Sequence, residues 1–348
     1  MKYSEGIDMA RDFKPSGIHL TAGIAPCAYY CRYCQMGYGR PAKFGIGRFE
    51  KMLDRFFEYK EKLGSDNFDV SHWLGYTYDL DKDDFAVQIR MFEKSGWNPK
   101  LLLMGGVRHR HGDELVQWLT ERRGMGMERV VATYFGLNEQ HDYMNNKEGH
   151  FEYQIELQKL AGELGYRNEQ RMFLLRSTMP VMEQLLDRLE EVGASVTDKC
   201  AYPLFYSGRA RRYDGDRVTM ELLENQPERV KAVYRNDIYK WKSEKDWIEA
   251  AKGEASSYES GHVSLLLTDD NIEKYEAMSC EDIYRELTER TQTAYAAAPT
   301  REELCEKYSD PTNERLYMFM WDMECLWMDR YLKENPVSFE RLLTHFGR

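Results

Sequence analysis

The feature that most limits what this chain can become is an alternation running from residue 18 to about residue 204. Short apolar runs at "IHLTAG" (18–23), "DVSHWLG" (69–75), "KLLLMGG" (100–106), "RVVATYFG" (129–136), "RMFLLRST" (171–178) and "SVTDKCAYPL" (195–204) predict six strands. Between them lie stretches with apolar residues at helical spacing, such as "RFEKMLDRFFEYKEKLG" (48–64) and "VMEQLLDRLEEVG" (181–193). Strands separated by helices of this length pair in parallel, because a hairpin turn cannot make the connection. Right-handed crossovers then give an open doubly wound sheet or a barrel, and both place ligands at the carboxyl ends of the strands.

After "SGRARRYDGD" (207–216) the alternation stops. Residues 217–348 read mostly as helix, with one short apolar run at "HVSLLLT" (262–268). Ser279 with Asp282, and Thr300 with Glu303, read as helix N-caps. "NERLYMFMWDMECLWMDRYLKEN" (313–335) reads as one long helix closed by Pro336, so rich in Met and Trp that both faces must be covered. The expected division is residues 1–215 and 216–348, the second region covering the open side of the first.

Composition narrows the function. The 348 residues are enough for a large core, and a formal net charge of −11 argues against a nucleic-acid partner. No apolar run reaches membrane-spanning length, and "MKYSEGIDMARDF" lacks the apolar core of a signal peptide, so the expectation is a cytoplasmic protein without a membrane partner. Seven cysteines are an odd number and do not form a disulfide framework; in a reducing compartment they point to metal or redox use.

Three of those cysteines, Cys27, Cys31 and Cys34, fall in "PCAYYCRYCQMGYGR" with C-x3-C-x2-C spacing, directly after the first strand. Thiolates suit iron–sulfur clusters and zinc. Structural zinc wants four protein ligands, usually as two C-x2-C pairs, and no second pair exists here. Three thiolates on a four-iron cluster leave one iron open for a small molecule.

This loop resembles the signature of the radical S-adenosylmethionine (radical SAM) superfamily, C-x3-C-x-aromatic-C, with Tyr33 as the aromatic residue. The resemblance covers roughly residues 18–212. It implies a partial parallel (β/α)6 TIM-like barrel of the α/β class with a mostly helical C-terminal region. It also implies a [4Fe-4S] cluster on Cys27, Cys31 and Cys34, with the amino and carboxylate groups of S-adenosyl-L-methionine on the fourth iron. Reductive cleavage would give a 5′-deoxyadenosyl radical that takes a hydrogen atom from a substrate, the electron coming from a donor such as flavodoxin or ferredoxin.

Further positions follow from the resemblance. Tyr33 would pack near the adenine, and Gly75, Thr77, Thr133 and Arg176 would line S-adenosylmethionine. "LGYTYDLDKDDF" (74–85) departs from the Gly-Gly-Glu-Pro segment of relatives: Tyr76 replaces the second glycine and Thr77 the glutamate. The charge pairing to the methionine end is thereby lost unless Asp79 supplies it. "MGG" (104–106) stands where relatives often have Thr-Asn-Gly, and reads equally as a ligand contact or an ordinary turn. Thr133, Gly136, His141, Asp142, Gly149, Phe151 and Glu152 match a segment of the peptide-modifying and sulfatase-maturing branch, whose cysteine-rich C-terminal extension is absent here.

Alternatives stand beside several of these roles. His141 and Asp142 read as helix caps. Arg176 is a carboxylate fork or a surface ion pair. Arg209, Arg211 and Arg212 form a basic cluster or a solvated turn. Cys200, on the sixth strand, is a hydrogen donor of the kind some epimerases use, or a small buried hydrophobe. Cys280, Cys305 and Cys325 are too scattered to argue for a further cluster, and "HRHG" (109–112) reads as a loop.

The expected function is radical chemistry at a C–H bond of a peptide or peptide-derived natural product, such as epimerisation or cross-linking. A small metabolite is the second substrate class. A zinc-stabilised binding protein without redox chemistry is the reading from another class.

Overall fold

The computed structural model describes residues 15–24, 27–35, 42–64, 67–75, 78–97, 100–193, 196–252 and 261–335. Six strands appear where expected: β1 (Gly17–Thr21), β2 (Asp69–Trp73), β3 (Leu101–Leu103), β4 (Arg129–Tyr134), β5 (Arg167–Leu174) and β6 (Lys199–Pro203). They alternate with α1 (Ile46–Leu63), α2 (Lys82–Lys94), α3 (Gly112–Gly124), α4 (Asn138–Asn145), α5 (His150–Glu163) and α6 (Met182–Glu190). Beyond them come α7 (Met220–Glu224), α8 (Glu228–Lys231), α9 (Asn236–Tyr239), β7 (Lys242–Ser243), α10 (Glu244–Ala251), β8 (His262–Leu266), α11 (Ile272–Ala277), α12 (Cys280–Ala297), α13 (Arg301–Tyr308), β9 (Leu316–Tyr317) and α14 (Met320–Glu334).

All pairings among β1–β6 and β8 are parallel. They form two sheets, ordered β8-β1-β2 and β3-β4-β5-β6. The architecture is the expected α/β class, with two refinements. The apolar run near residue 265 is a seventh parallel strand, paired with β1 from Gly17↔His262 to Thr21↔Leu266. Among the described residues no ladder joins β2 to β3; Gln88 and Phe92 of α2 reach the interior there instead. The outer edge of β6 is closed by a single parallel bridge from Ala201 to Tyr234.

α1 shows why these segments take the shapes they do. Ile46, Phe49, Met52, Leu53 and Phe56 recur at helical spacing and are buried, and the helix ends at Gly64 with φ of 57°. Each such side chain stabilises by about 1.5–3 kcal/mol. Truncating Phe49, which has no exposed surface, to alanine would cost about 3–5 kcal/mol.

β5 begins four residues earlier than its apolar run because Asn168 and Gln170 are buried polar residues that the sequence pattern hides. Asn168 Nδ2 donates to the Gln158 carbonyl at 2.7 Å, and Gln170 Nε2 to the Leu189 carbonyl at 3.2 Å.

The long helix expected over 313–335 is shorter. It starts at Met320, after β9 pairs antiparallel with β7. The cause is Asp322, a fully buried carboxylate that accepts the backbone N–H groups of Met318 at 3.2 Å and Phe319 at 3.3 Å, capping the helix from within. It also accepts from Tyr206 N at 2.8 Å, which ties α14 to the loop after β6. Met323 through Met328 are buried, as their density of Met and Trp requires. Thr300 and Glu303 form the expected capping box of α13, and Ser279 Oγ accepts from Asp282 N at 3.1 Å ahead of α12.

Candidate active site

The cysteine loop runs from the end of β1 across the carboxyl ends of the neighbouring strands. Its backbone is pinned from three sides. Ala28 N donates to the Gly106 carbonyl after β3 at 2.9 Å, Arg32 N to the Met144 carbonyl in α4 at 2.8 Å, and Arg209 N to the Cys34 carbonyl at 2.9 Å. Gly208 makes the last contact possible. Its φ is +48°, and a Cβ there would stand 2.5 Å from the Gln35 carbonyl oxygen and 2.6 Å from that of Cys34.

Cys27, Cys31 and Cys34 all line one cavity of about 340 Å3. The remaining wall comes from strand ends: Trp73 and Gly75 after β2, Gly105 and Gly106 after β3, Thr133 of β4, Arg171 and Phe173 of β5, and Tyr202 of β6. Phe205 and Tyr239 close one side, and Phe205 stacks on Phe319 of the α14 cap at 6.0 Å.

Burial, reinforced by the neighbouring thiols, pushes the Cys31 thiol up to about 12. Burial pushes the Cys27 thiol up too. Such thiols ionise when a cation replaces their protons. Among the described residues no three His, Cys, Asp or Glu side chains converge on a point suited to one metal ion. A cluster asks for no such point, because each cysteine binds a different iron. The donor set, three soft sulfurs facing one cavity, fits an iron–sulfur group.

Behind the loop lies a buried polar support. Tyr33 Oη donates to Asn145 Oδ1 at 3.2 Å, and Cys31 Sγ lies 3.7 Å from the same oxygen. Asn145 Nδ2 donates to the His141 carbonyl at 2.9 Å and stands 3.1 Å from His141 Nε2, while His141 Nδ1 accepts from Phe135 N at 3.2 Å. His141, His150 and His109 stack in a column, with ring centroids 5.2 and 5.4 Å apart. Burial depresses His141 to about 3, and burial with its neighbours depresses His150 to about 2, so both are neutral.

Of the residues expected at the site, Tyr33, Gly75 and Thr133 line the cavity with the three cysteines. Tyr33 packs on Phe135 with ring centroids 4.0 Å apart. Thr77 lies outside the described residues. Arg176, beyond the end of β5, is exposed and absent from the cavity wall; the cation there is Arg171, five residues earlier and within the strand. Asp79 is committed elsewhere, accepting from Arg110 Nη2 at 2.5 Å and Arg108 N at 2.9 Å.

Cys200 is paired with Arg171 across β5 and β6 but does not line the cavity; its Sγ donates to the Gln170 carbonyl at 3.6 Å. Burial pushes its thiol up to about 11, which keeps the S–H bond intact at neutral pH. Asp142 caps α5, accepting from Gly149 N at 2.6 Å and Phe151 N at 2.8 Å, whereas His141 serves the Asn145 support. Arg211 is paired with Asp329 at 3.0 Å.

Asn145 and Arg171 escaped the sequence reading. Asn145 carries no motif. Arg171 alternates with Phe173 on a strand, a period-2 signal that marks an inward face.

No protein-family model matches the chain, and no curated protein does. Partial overlaps exist among solved structures. Coproporphyrinogen III oxidase (HemN) from Escherichia coli, described as a radical SAM enzyme, aligns at 16% identity and TM-score 0.40, covering 62% of this chain and 51% of its own. SuiB from Streptococcus suis bound to S-adenosylmethionine aligns at 13% identity and TM-score 0.33, over 53% of this chain and 40% of SuiB. Methylornithine synthase (PylB) aligns at 12% identity and TM-score 0.34, over 56% and 54%. The chain thus spans between 40% and 54% of the length of these three structures, and overlaps of this kind assign no family. Among the described residues, no helix is long and apolar enough to cross a membrane.

Proposed function

We propose that this chain is a radical SAM enzyme. The observation that carries the reading is the C-x3-C-x2-C loop, with all three thiols facing one cavity at the carboxyl ends of parallel strands. When bound there, a [4Fe-4S] cluster with S-adenosylmethionine supplies reductive C–S cleavage and hydrogen-atom abstraction. The chain's own residues hold and enclose that chemistry. Cys27, Cys31 and Cys34 are the ligands, Asn145 and Tyr33 support the loop, and Gly75, Gly105 and Thr133 leave room for the nucleotide. The aromatic walls exclude water. A reduced flavodoxin or ferredoxin is the fitting class of electron donor.

The substrate class proposed first is a peptide or peptide-derived natural product, on the sequence match over residues 129–212. A small metabolite is the second reading, and the observation that favours it is the modest, aromatic-walled chamber. Anaerobic reconstitution tests the whole. The proposal expects about four irons per chain and, with dithionite and S-adenosylmethionine, formation of 5′-deoxyadenosine. Stoichiometric zinc on a colourless protein, with no 5′-deoxyadenosine, would favour the binding-protein alternative.

A further inference from the structure

Among the described residues that line the cavity, Arg171 alone carries a charge. Its Nε and Nη2 both donate to Oε1 of Glu169, at 3.0 and 2.9 Å. The other oxygen of Glu169 accepts from Arg129 Nη1 at 3.3 Å. One carboxylate is therefore divided between two guanidinium groups and neutralises neither in full. The remaining nitrogen, Nη1 of Arg171, makes no hydrogen bond to a described residue. A third of the side-chain surface is exposed although the residue sits mid-strand, so that exposure is onto the cavity.

Two of the four tyrosines that line this chamber stand close to that guanidinium. Tyr78 and Tyr202 line the cavity, are nearly buried, and interact electrostatically with Arg171. Neither hydroxyl has a hydrogen-bond partner among the described residues. Buried phenols ordinarily find one. Unfilled donors gathered around a half-neutralised guanidinium match a monoanion with two acceptor oxygens.

The geometry points to a substrate that enters this chamber by a carboxylate, held by Arg171 with the Tyr78 and Tyr202 hydroxyls, its apolar body against Trp73, Phe92 and Phe173. The inference rests on the cavity being the substrate chamber of the proposed reaction. In that reading the carboxylate of S-adenosylmethionine is engaged at iron, so the anion at Arg171 belongs to the second reactant. A dianionic phosphate fits less well, because Glu169 already offsets part of the charge.

The test uses reconstituted protein with saturating S-adenosylmethionine and no reductant. Calorimetry compares 3-phenylpropionate with its uncharged match, 3-phenylpropionamide. The acid is expected to bind at least tenfold tighter than the amide. Arg171→Gln should erase that preference, and Tyr202→Phe, which leaves the Glu169 pair in place, should reduce it about threefold. S-adenosylmethionine affinity should change less than twofold in both variants.

Equal binding of acid and amide to the wild type, or no binding of the acid, overturns the inference. A loss of S-adenosylmethionine affinity in Arg171→Gln overturns it as well, since the nucleotide's carboxylate would then be the occupant. Iron content of the same samples reports on the cysteine loop, so either reading can fail without the other.

Discussion

The amide of Asn145 stands 3.7 Å from Sγ of Cys31 while its Nδ2 lies 3.1 Å from the ring of His141. The proposed cluster ligand Cys31 is thereby coupled through one buried side chain to a helix and a strand end that hold it in place. A metal-bound thiolate can only accept, yet the atom that faces Cys31 is the amide oxygen, because Nδ2 is given to the His141 carbonyl. Asn145→Leu removes that negative end of the amide dipole and should raise the reduction potential of the proposed cluster by about 20–60 mV, the scale of a differential polar interaction near 1 kcal/mol for one electron. Potentiometric titration followed by paramagnetic resonance reads the shift, and an unmoved potential would show that the contact is only structural.

Gly208→Ala should disturb the same loop from the opposite side. The added Cβ would press on the carbonyls of Cys34 and Gln35 at a left-handed position. The expected effects are a loss of about 1–3 kcal/mol in stability and a lower iron content after reconstitution. Full iron loading with an unchanged melting temperature would contradict the close approach.

The buried histidines predict acid lability. His141 and His150 are held neutral in the fold, well below their ordinary value of 6.5. Below that pH the unfolded chain takes up protons that the folded chain refuses. Their stabilisation is therefore complete above about pH 6.5 and is lost as pH falls toward 3. Each contributes a slope approaching about 1.4 kcal/mol per pH unit. Urea midpoints of metal-free protein at pH 7 and 5.5 measure it; His141→Gln should flatten the dependence, whatever it does to absolute stability.

Glu244 anchors the C-terminal region. With no exposed surface, it accepts from Asp310 N at 2.8 Å, Asn313 Nδ2 at 2.6 Å, Trp327 Nε1 at 2.7 Å and Arg330 at 2.5 and 2.9 Å. Glu244→Ala leaves those donors unpaired and should cost about 3–5 kcal/mol. Chemical denaturation would show a much smaller loss if the network were dispensable.

What the sequence made legible was periodic or clustered. The strands declared themselves by apolar runs, and the three thiols by spacing. β5 was read short because the Asn168 and Gln170 side chains donate to carbonyls of α5 and α6, contacts distant in sequence. The first turns expected of the 313–335 helix gave way to the Asp322 cap, an ordinary acidic residue until the loop after β6 packs on it. Arg176 looked better placed than Arg171 because it ends the apolar run; only the register with Thr133 and Cys200 shows which arginine faces inward. Asn145 acquires its role solely from the meeting of α4 with the cysteine loop.

The central claim is that three cysteines hold a cluster with one iron left for a nucleotide. Paramagnetic resonance of the anaerobically reconstituted, dithionite-reduced protein tests it most directly. The account predicts a cluster signal that shifts when S-adenosylmethionine is added and disappears in Cys31→Ala. A signal indifferent to the nucleotide, or one that survives loss of Cys31, would contradict it.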